Sequence, residues 1–360
     1  MGRELLWGDS EAIKLFSMRG IPQVLNYLNE THVIGYSCLS ILLTYVKKPI
    51  ARGVYAWVDL NFYSTHQRLN KEYLNKNNKT WFEQWLVGMT DGAPGWTFSI
   101  VRQNGKWNLA YKITQSRYNL RVLYYIKEQL GVGSVTKDNT KGQFFIRDRK
   151  KLESVIFPIF DKYPLLTSKM FNYEKFKKAH SILEDNTLTK DEKDKALFQL
   201  RDEELPKDYI SPIWSNASLP LENVNNINNV MTKPWLIGFI EAEGSFYLVS
   251  KDSSRIVHGF GLTQKLDSVV LESIRLILHI PTKVKLKTNH NHYILDTTNS
   301  RAIENIIDYF KGTMKGMKSL EYRIWARSYV KHKGNFSKLL EIRDQVRKLR
   351  TKLSELIEKS

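Results

Sequence analysis

The sequence predicts an α+β protein built from two similar units. Three observations lead to this prediction. A helical segment and the residues that follow it occur twice, about 150 residues apart. In each copy an apolar helix precedes segments in which β-branched and aromatic residues alternate with polar ones, a pattern typical of a sheet with one buried and one wet face. The 360 residues, 42% of them hydrophobic, suffice for a sizeable core.

Four matches in the same order establish the duplication. The pairs are Trp85 and Trp235, Phe98 and Phe246, Gln115 and Gln264, and Lys169 and Lys318, at offsets of 150, 148, 149 and 149 residues. Four ordered matches at a nearly constant spacing are hard to obtain by chance. We therefore interpret the two segments as copies of one unit.

The helix that opens each copy is predicted to contact its partner closely. Thr232 suits an N-cap and Pro234 suits a first helical turn. Gly88 and Gly238 lie inside the apolar helices, although Gly costs about 1 kcal/mol relative to Ala there, so a backbone-to-backbone crossing would explain their presence. The other predicted elements are strands at 96–101, 107–114, 246–249 and 257–263, helices at 120–130 and 268–280, and hairpins at 134–137 with 143–147 and at 283–288 with 292–297.

Three segments are predicted to lie outside the units, which span 81–204 and 232–333. Residues 1–80 form an N-terminal extension in which we find no chemical motif. Residues 205–231 are rich in Pro and Asn, a composition that indicates a linker. Residues 334–360 predict a basic amphipathic helix packed on the second unit, because too few heptads are present for a coiled coil.

The charge balance favours a polyanionic partner. Lys and Arg number 55 against 37 Asp and Glu, which gives a formal net charge of +18 spread along the chain. Neutralising phosphates releases condensed counterions, so nucleic acid is the expected partner, although charge does not distinguish DNA from RNA. Cys38 is the single cysteine, which excludes a disulfide framework and a cysteine-based zinc site. No apolar stretch reaches the roughly 18 residues of a membrane span, so no membrane partner is expected.

One short segment carries a resemblance to a known family. Residues 236–244, Leu-Ile-Gly-Phe-Ile-Glu-Ala-Glu-Gly, resemble the nine-residue LAGLIDADG signature at nearly every position, and residues 86–92 follow it for seven. The chain is thus similar to two-motif homing endonucleases and group I intron maturases over residues 80–332. Residues 157–164 and 318–322 resemble the fungal mitochondrial branch of that family, which implies a mitochondrial location.

The resemblance implies two pseudo-symmetric αββαββα-like units with saddle-shaped antiparallel sheets and the two motif helices at the interface. It also implies a metal-binding acid at the eighth motif position, which is Glu243 in the second copy. The first copy has Ala93 there, and two extra residues lengthen the turn before Phe98. Asp91, the sixth residue, would bind metal only if that turn re-aims it.

Phosphodiester hydrolysis explains why carboxylates are wanted here. A water must be activated and the charge on the leaving oxygen neutralised, and hard divalent cations with oxygen ligands do both, so Mg²⁺ or another divalent cation is expected. By resemblance, Gln115 and Gln264 order water around the metals, and Lys169 and Lys318 neutralise phosphate charge in the transition state. The predicted nucleic-acid-binding residues are basic and polar strand residues: Arg102, Gln103, Lys106, Lys112, Arg117, Lys251, Lys265, Lys283, Lys285 and Lys287.

Two functions fit this sequence, and a third has no element in its favour. The first is a monomeric, site-specific endonuclease acting on a double-stranded DNA target. The second is a maturase that stabilises a group I intron RNA without catalysis. Binding along a saddle survives the loss of one acid, whereas cutting both strands should not, so Ala93 favours a maturase or an impaired nuclease. The third is a DNA-binding protein of transcription-factor type on the same fold.

Overall fold

The computed structural model describes residues 77–216 and 224–358. These residues belong to one compact unit of the chain, which spans residues 75–360. The predicted N-terminal extension, 1–80, therefore lies almost entirely outside the described residues. Within the described ranges, no helix is both long enough and apolar enough to cross a bilayer.

Helices and strands follow one another in the same order in both copies. The first copy contains α1 (Asn77–Gly92), β1 (Phe98–Gln103), β2 (Lys106–Ser116), α2 (Leu120–Leu130), β3 (Ser134–Lys137), β4 (Lys141–Ile146), α3 (Arg149–Lys151), α4 (Phe157–Lys162), α5 (Lys169–Glu184) and α6 (Lys190–Asp202). The chain continues with α7 (Val224–Val230), α8 (Lys233–Glu243), β5 (Ser245–Ser250), β6 (Ile256–Gln264), α9 (Ser268–Ile277), β7 (Lys285–Lys287), β8 (His292–Thr297), α10 (Ser300–Phe310), α11 (Lys318–His332) and α12 (Phe336–Glu358).

Each copy folds into a four-stranded antiparallel sheet. The strand orders are β1-β2-β4-β3 and β5-β6-β8-β7, which are equivalent. Phe98 pairs with Tyr111, and Phe246 pairs with Phe260, so matching aromatic pairs lie on the helix-covered face of each sheet. All four side chains are buried. The α+β prediction with two pseudo-symmetric units is confirmed.

The motif helices α1 and α8 cross where the sequence predicted. A Cβ built on Gly88 would lie 1.9 Å from the carbonyl oxygen of Trp235, and one built on Gly238 would lie 2.0 Å from that of Trp85. Only a residue without a side chain allows the two backbones to come this close. The crossing fixes the ends of both helices relative to each other.

Part of the predicted linker, 205–231, packs against the first unit. The indole of Trp214 is fully buried in it and donates to the carbonyl of Leu166 at 2.8 Å. Helix α6 follows α5 as α12 follows α11 in the second copy. It begins with a capping box between Thr189 and Glu192 and buries Leu197. Composition predicted a linker because Pro and Asn dominate the segment, but one large apolar side chain is enough to anchor it.

The C-terminal helix α12 lies within the segment where an amphipathic helix was predicted. Leu339 of this helix is fully buried. Arg343 donates from Nη1 to the hydroxyl of Ser250 at 3.0 Å, which links the helix to the end of β5. The helix therefore packs on the second sheet near its N-terminal end.

Candidate active site and nucleic-acid interface

Glu243 ends helix α8 at the mouth of a groove. The groove has a volume of about 530 Å³ and runs over the face of the second sheet that no helix of the described ranges covers, which we call the outer face. Burial raises the pKa of the Glu243 carboxyl, and the positive charges of Lys169 and Lys318 oppose that rise. The other lining residues are Ser245, Tyr247, Gly261, Leu262, Thr263, Lys285, Lys287, Ile294 and Asp296.

The two predicted pocket lysines hold the ends of the motif helices. Lys169 donates from Nζ to the carbonyl of Thr90 at 2.7 Å and also to that of Ala93. Lys318 donates to the carbonyl of Gly244 at 2.6 Å. Cations are favoured at such positions because a helix C-terminus carries partial negative charge. The structure therefore brings both lysines to the same place in the two units, one beside Ala93 and one beside Glu243.

Burial also lowers the pKa of the Lys169 ammonium group. Its pKa is lowered to about 8 by burial, and the carboxylates of Asp91, Glu243 and Asp267 act against that lowering. The ammonium group is thus easier to deprotonate than that of an exposed lysine. It also interacts electrostatically with Glu243.

Asp91 is buried near the end of the first motif helix. Its carboxylate is 3% exposed and accepts hydrogen bonds from the backbone of Leu166 (2.9 Å) and Thr167 (3.2 Å), from the Thr167 hydroxyl, and from the indole of Trp235 (2.9 Å). The lengthened turn does not re-aim it. Both of its oxygens accept hydrogen bonds from protein donors, which disfavours its predicted role as a metal ligand.

Glu241, the sixth residue of the second motif, is enclosed by protein donors in the same way as Asp91. It accepts from the backbone N–H of Lys315 at 2.9 Å, from that of Gly316, and from the indole of Trp85 at 3.2 Å. Burial raises the pKa of the Glu241 and Asp91 carboxyls alike. The sixth acid of each motif thus joins the two helices and the loop that leads to the pocket lysine.

The end of the first motif has no carboxylate at the position of Glu243. Ala93 is buried and lies beside Pro94 and Gly95, and no group of three or more His, Cys, Asp or Glu side chains in the described ranges is arranged to hold a metal. Mg²⁺ is often held by one or two carboxylates together with substrate phosphates and water. Glu243 fits such a site on its own side of the interface, and the Ala93 side does not.

The two predicted glutamines lie at the ends of the central strands. Gln115 is 8% exposed, and its Oε1 accepts from the amide of Asn119 at 3.1 Å. Gln264, the last residue of β6, is partly buried and pairs with Tyr293. Both lie on the helix-covered side of their sheets.

Sequence reasoning missed a pair of polar contacts between the units. Asn119 accepts from the backbone N–H of Met317 at 2.9 Å, and Asp267 accepts from the backbone N–H of Ser168 at 2.8 Å and from its hydroxyl at 3.0 Å. Each contact reaches the residue before a pocket lysine. Asn119 and Asp267 stand at the N-cap positions of α2 and α9, but their side chains make no capping hydrogen bond. Their position in the sequence would therefore suggest helix capping and not a contact between the units. Burial raises the pKa of Asp267 to about 6.

Two of the predicted nucleic-acid-binding residues do not lie free on the outer faces. Arg102 lies on the opposite face from Gln103, where it donates to Asp194 of α6 at 2.5 Å and lies over the ring of Phe198. Arg117 is buried and donates to the carbonyl of Asp138. Lys112 is partly buried, with its Nζ 3.4 Å from the hydroxyl of Ser99. The remaining predicted residues are exposed: Gln103, Lys106, Lys251, Lys265, Lys283, Lys285 and Lys287.

The fold is a duplicated helix-and-sheet unit whose two motif helices cross at glycines. Comparison with known proteins identifies the family that has this fold. The model of the LAGLIDADG endonuclease family matches residues 86–180 and 236–329. The chain belongs to this family.

Curated relatives and solved structures agree with this assignment. A probable intron-encoded endonuclease, Cox1-I1b of Schizosaccharomyces pombe, is 43% identical over 285 residues, which cover 76% of this chain and 70% of the relative. The uncharacterized mitochondrial protein RF1 of Saccharomyces cerevisiae is 32% identical over 57% of this chain, which spans only 42% of that protein. The fold of I-SmaMI, solved on an uncleaved DNA target in the presence of calcium ions, matches with a TM-score of 0.57 at 21% identity, over 75% of this chain and 97% of the other.

Proposed function

We propose that this chain is an intron-encoded homing endonuclease of mitochondria that binds a duplex DNA site as a monomer and cleaves mainly one strand. The observation that carries the proposal is the unequal pair of motif ends. Glu243 lies at the groove on one side of the interface, whereas Ala93 is buried on the other. Each motif end serves one strand in a pseudo-twofold arrangement, so one strand loses its carboxylate.

The outer faces of the sheets provide the binding surface. Lys283, Lys285 and Lys287 are exposed along one edge of the second sheet, and Gln103 and Lys106 are exposed at the hairpin of the first. Lysines spaced along strands suit the phosphates that flank a major groove. The solved relative bound to a DNA target supports duplex DNA as the partner.

The groove residues give the chemistry on the Glu243 side. Glu243 would hold a divalent cation together with phosphate oxygens of the substrate, and such a cation activates water and neutralises the leaving oxygen. Lys318 holds the carbonyl of Gly244 and so fixes the direction in which the neighbouring carboxylate points. The positive charge of Lys169 acts on the same carboxyl and opposes its protonation. Gln264 lies at the end of β6, where an amide can orient water.

A maturase role is the second candidate, and the same asymmetry favours it. Loss of one acid at Ala93 leaves the sheets and their exposed lysines unchanged, so phosphate binding does not depend on it. A structured group I intron RNA offers the same backbone charge as DNA. The relatives named as an intron-encoded endonuclease and as a mitochondrial protein are consistent with an intron-encoded protein that acts in mitochondria.

One experiment separates these functions. The protein is incubated with a supercoiled plasmid carrying the joined exons and, in parallel, with the unspliced intron RNA, each with magnesium. Nicked plasmid is expected from the wild type and none from Glu243→Gln, while Glu304→Gln, an exposed acid on α10, serves as the matched control. Faster RNA splicing without nicking would favour the maturase. Binding without either activity would favour the transcription-factor-like alternative.

A further inference from the structure

A tryptophan lies exposed at the place where the first motif has lost its acid. Trp96 is 85% exposed, whereas Ala93 before it and Phe98 after it are buried. A large aromatic side chain left in water gives up the stabilisation that its burial would provide. Among the described residues, no ring contact or hydrogen bond involves its indole, so packing within the described fold does not account for it.

The turn that carries Trp96 is anchored on both sides. The carbonyl of Ala93 is bound by Lys169, and the carbonyl of Thr97 accepts from the backbone N–H of Lys112 at 2.8 Å. Between these anchors, Pro94 has a fixed φ and Gly95 has a φ of +80°, a value that glycine adopts readily. A short turn held this way presents its side chain at little cost in chain entropy.

The anchored turn starts beside Glu243. A Cβ built on Gly92, the last residue of α1, would lie 3.3 Å from Cγ of Glu243. At the offset of 148 that relates Phe98 to Phe246, Trp96 corresponds to Gly244. The exposed indole and the acid therefore belong to equivalent ends of the two motifs, on the two sides of the interface where the centre of a bound duplex would lie.

We propose that Trp96 stacks on a nucleobase at the centre of the bound duplex DNA, on the side of the site that lacks an acid. This inference rests on the proposed function. Aromatic side chains stack on any base through its π-face, and apolar side chains inserted between base steps unstack and kink a duplex. The first motif end would then contribute binding and distortion of the DNA, while Glu243 of the second contributes the ligand for chemistry.

The test measures affinity for the joined-exon duplex in calcium, which prevents turnover. Trp96→Ala is expected to weaken binding by about tenfold, the effect of losing one base stacking contact. Trp96→Phe should keep most of the affinity because the ring remains. The slope of affinity against salt should not change, because the indole neutralises no phosphate. Tyr124→Ala is the matched control, since Tyr124 is 45% exposed on α2, on the helix-covered side of the first sheet.

An abasic scan of the central positions identifies the base. At one position, removing the base should weaken binding by the wild type by the same factor as Trp96→Ala does. The affinity of the Trp96→Ala variant should not change when that base is removed. Equal affinity of wild type and Trp96→Ala would overturn the inference alone and leave the proposed function intact. The absence of any salt-sensitive DNA binding by the wild type would overturn both.

Two other outcomes would assign the indole elsewhere. An effect of Trp96→Ala on intron RNA with none on the duplex would overturn the DNA assignment. A lower melting temperature of the free Trp96→Ala protein, with unchanged affinity, would indicate that the indole stabilises the free protein, and would also overturn the inference.

Discussion

The crossing glycines are the positions where one added methyl group is expected to cost most. A Cβ at Gly88 would lie 1.9 Å from the carbonyl oxygen of Trp235, whereas an ordinary carbon–oxygen contact is about 3.3–3.6 Å. The helices would have to separate by roughly 1.5 Å to restore that contact. A gap of about 1 Å already forfeits up to half of the dispersion attraction between facing atoms.

The magnitude follows from two opposing effects. Overpacking a close-packed interior costs about 1–3 kcal/mol, and the upper end applies because a helix backbone oxygen cannot move aside as a side chain can. Replacing Gly by Ala in a helix returns about 1 kcal/mol. The expected net loss is about 2 kcal/mol, which lowers Tm by roughly 4–8 °C in a domain of this size.

Thermal melting of Gly88→Ala, Gly238→Ala and the double variant measures this effect. Gly261→Ala in β6 is the control, because the nearest atom to its added Cβ is 3.4 Å away. The double variant should lose less than the sum of the single losses, since the first substitution already separates the helices for the second. Melting of Gly88→Ala at the temperature of the Gly261→Ala control would refute the close crossing.

Buried acids and surface charge give predictions that need no cleavage assay. Asp91→Ala leaves several buried donors unpaired, at about 1–3 kcal/mol each. Urea unfolding without metal should therefore show a much larger loss of unfolding free energy for Asp91→Ala than for Asp91→Asn. Wild-type stability of both variants would contradict a structural role. Since the pKa of Asp267 rises to about 6 on folding, the folded state binds more protons between about pH 4 and 6, and stability falls as pH rises through that window. Asp267→Asn should remove that part of the slope in urea midpoints, and an unchanged slope would count against the assignment. Affinity for duplex DNA should fall with salt by about one log-log unit per neutralised phosphate, whereas a flat response would assign the positive charge to solubility.

Local patterns and the duplication together predicted the fold. Alternating residues defined the strands, and the glycines at equivalent helix positions predicted the contact between Gly88 and Gly238. Strand alternation is a local pattern, and the glycines recur at equivalent positions of the two copies, so a single sequence is enough to detect both. The strand predicted from Trp96 begins two residues later, at Phe98, because the turn is anchored at Thr97 and leaves the indole outside the sheet.

The site could be predicted only in part, because its remaining features depend on distant partners. The sequence identified Glu243, Lys169 and Lys318 through the motif and its repeat. The enclosure of Asp91 depends on Trp235 from the other unit, and the hydrogen bond of Arg102 depends on Asp194 of α6, 92 residues away. No spacing rule relates these pairs, so neither contact could be inferred before the fold was known.

The turn between α1 and β1 allows the two motif ends to be made equal. Ala93→Asp alone should not restore cleavage of the second strand, because Ala93 is buried, its carbonyl is held by Lys169, and the longer turn keeps a new acid out of line. A ligand displaced by about 1 Å can lose roughly a hundredfold in rate. Replacing residues 93–96 with Asp-Gly recreates the exit that Glu243 and Gly244 form in the second copy, and magnesium-dependent linearisation of the plasmid is expected from this variant.

The same replacement removes Trp96, so the repaired variant should gain the second cut while binding the duplex about tenfold more weakly, as Trp96→Ala does. Quantifying nicked and linear plasmid at saturating protein separates these two effects, since saturation offsets the weaker binding. Efficient linearisation by the unmodified protein would refute the reasoning from Ala93, because another group would then supply the second site. Linearisation by the repaired variant with undiminished affinity would instead contradict the stacking role of the indole.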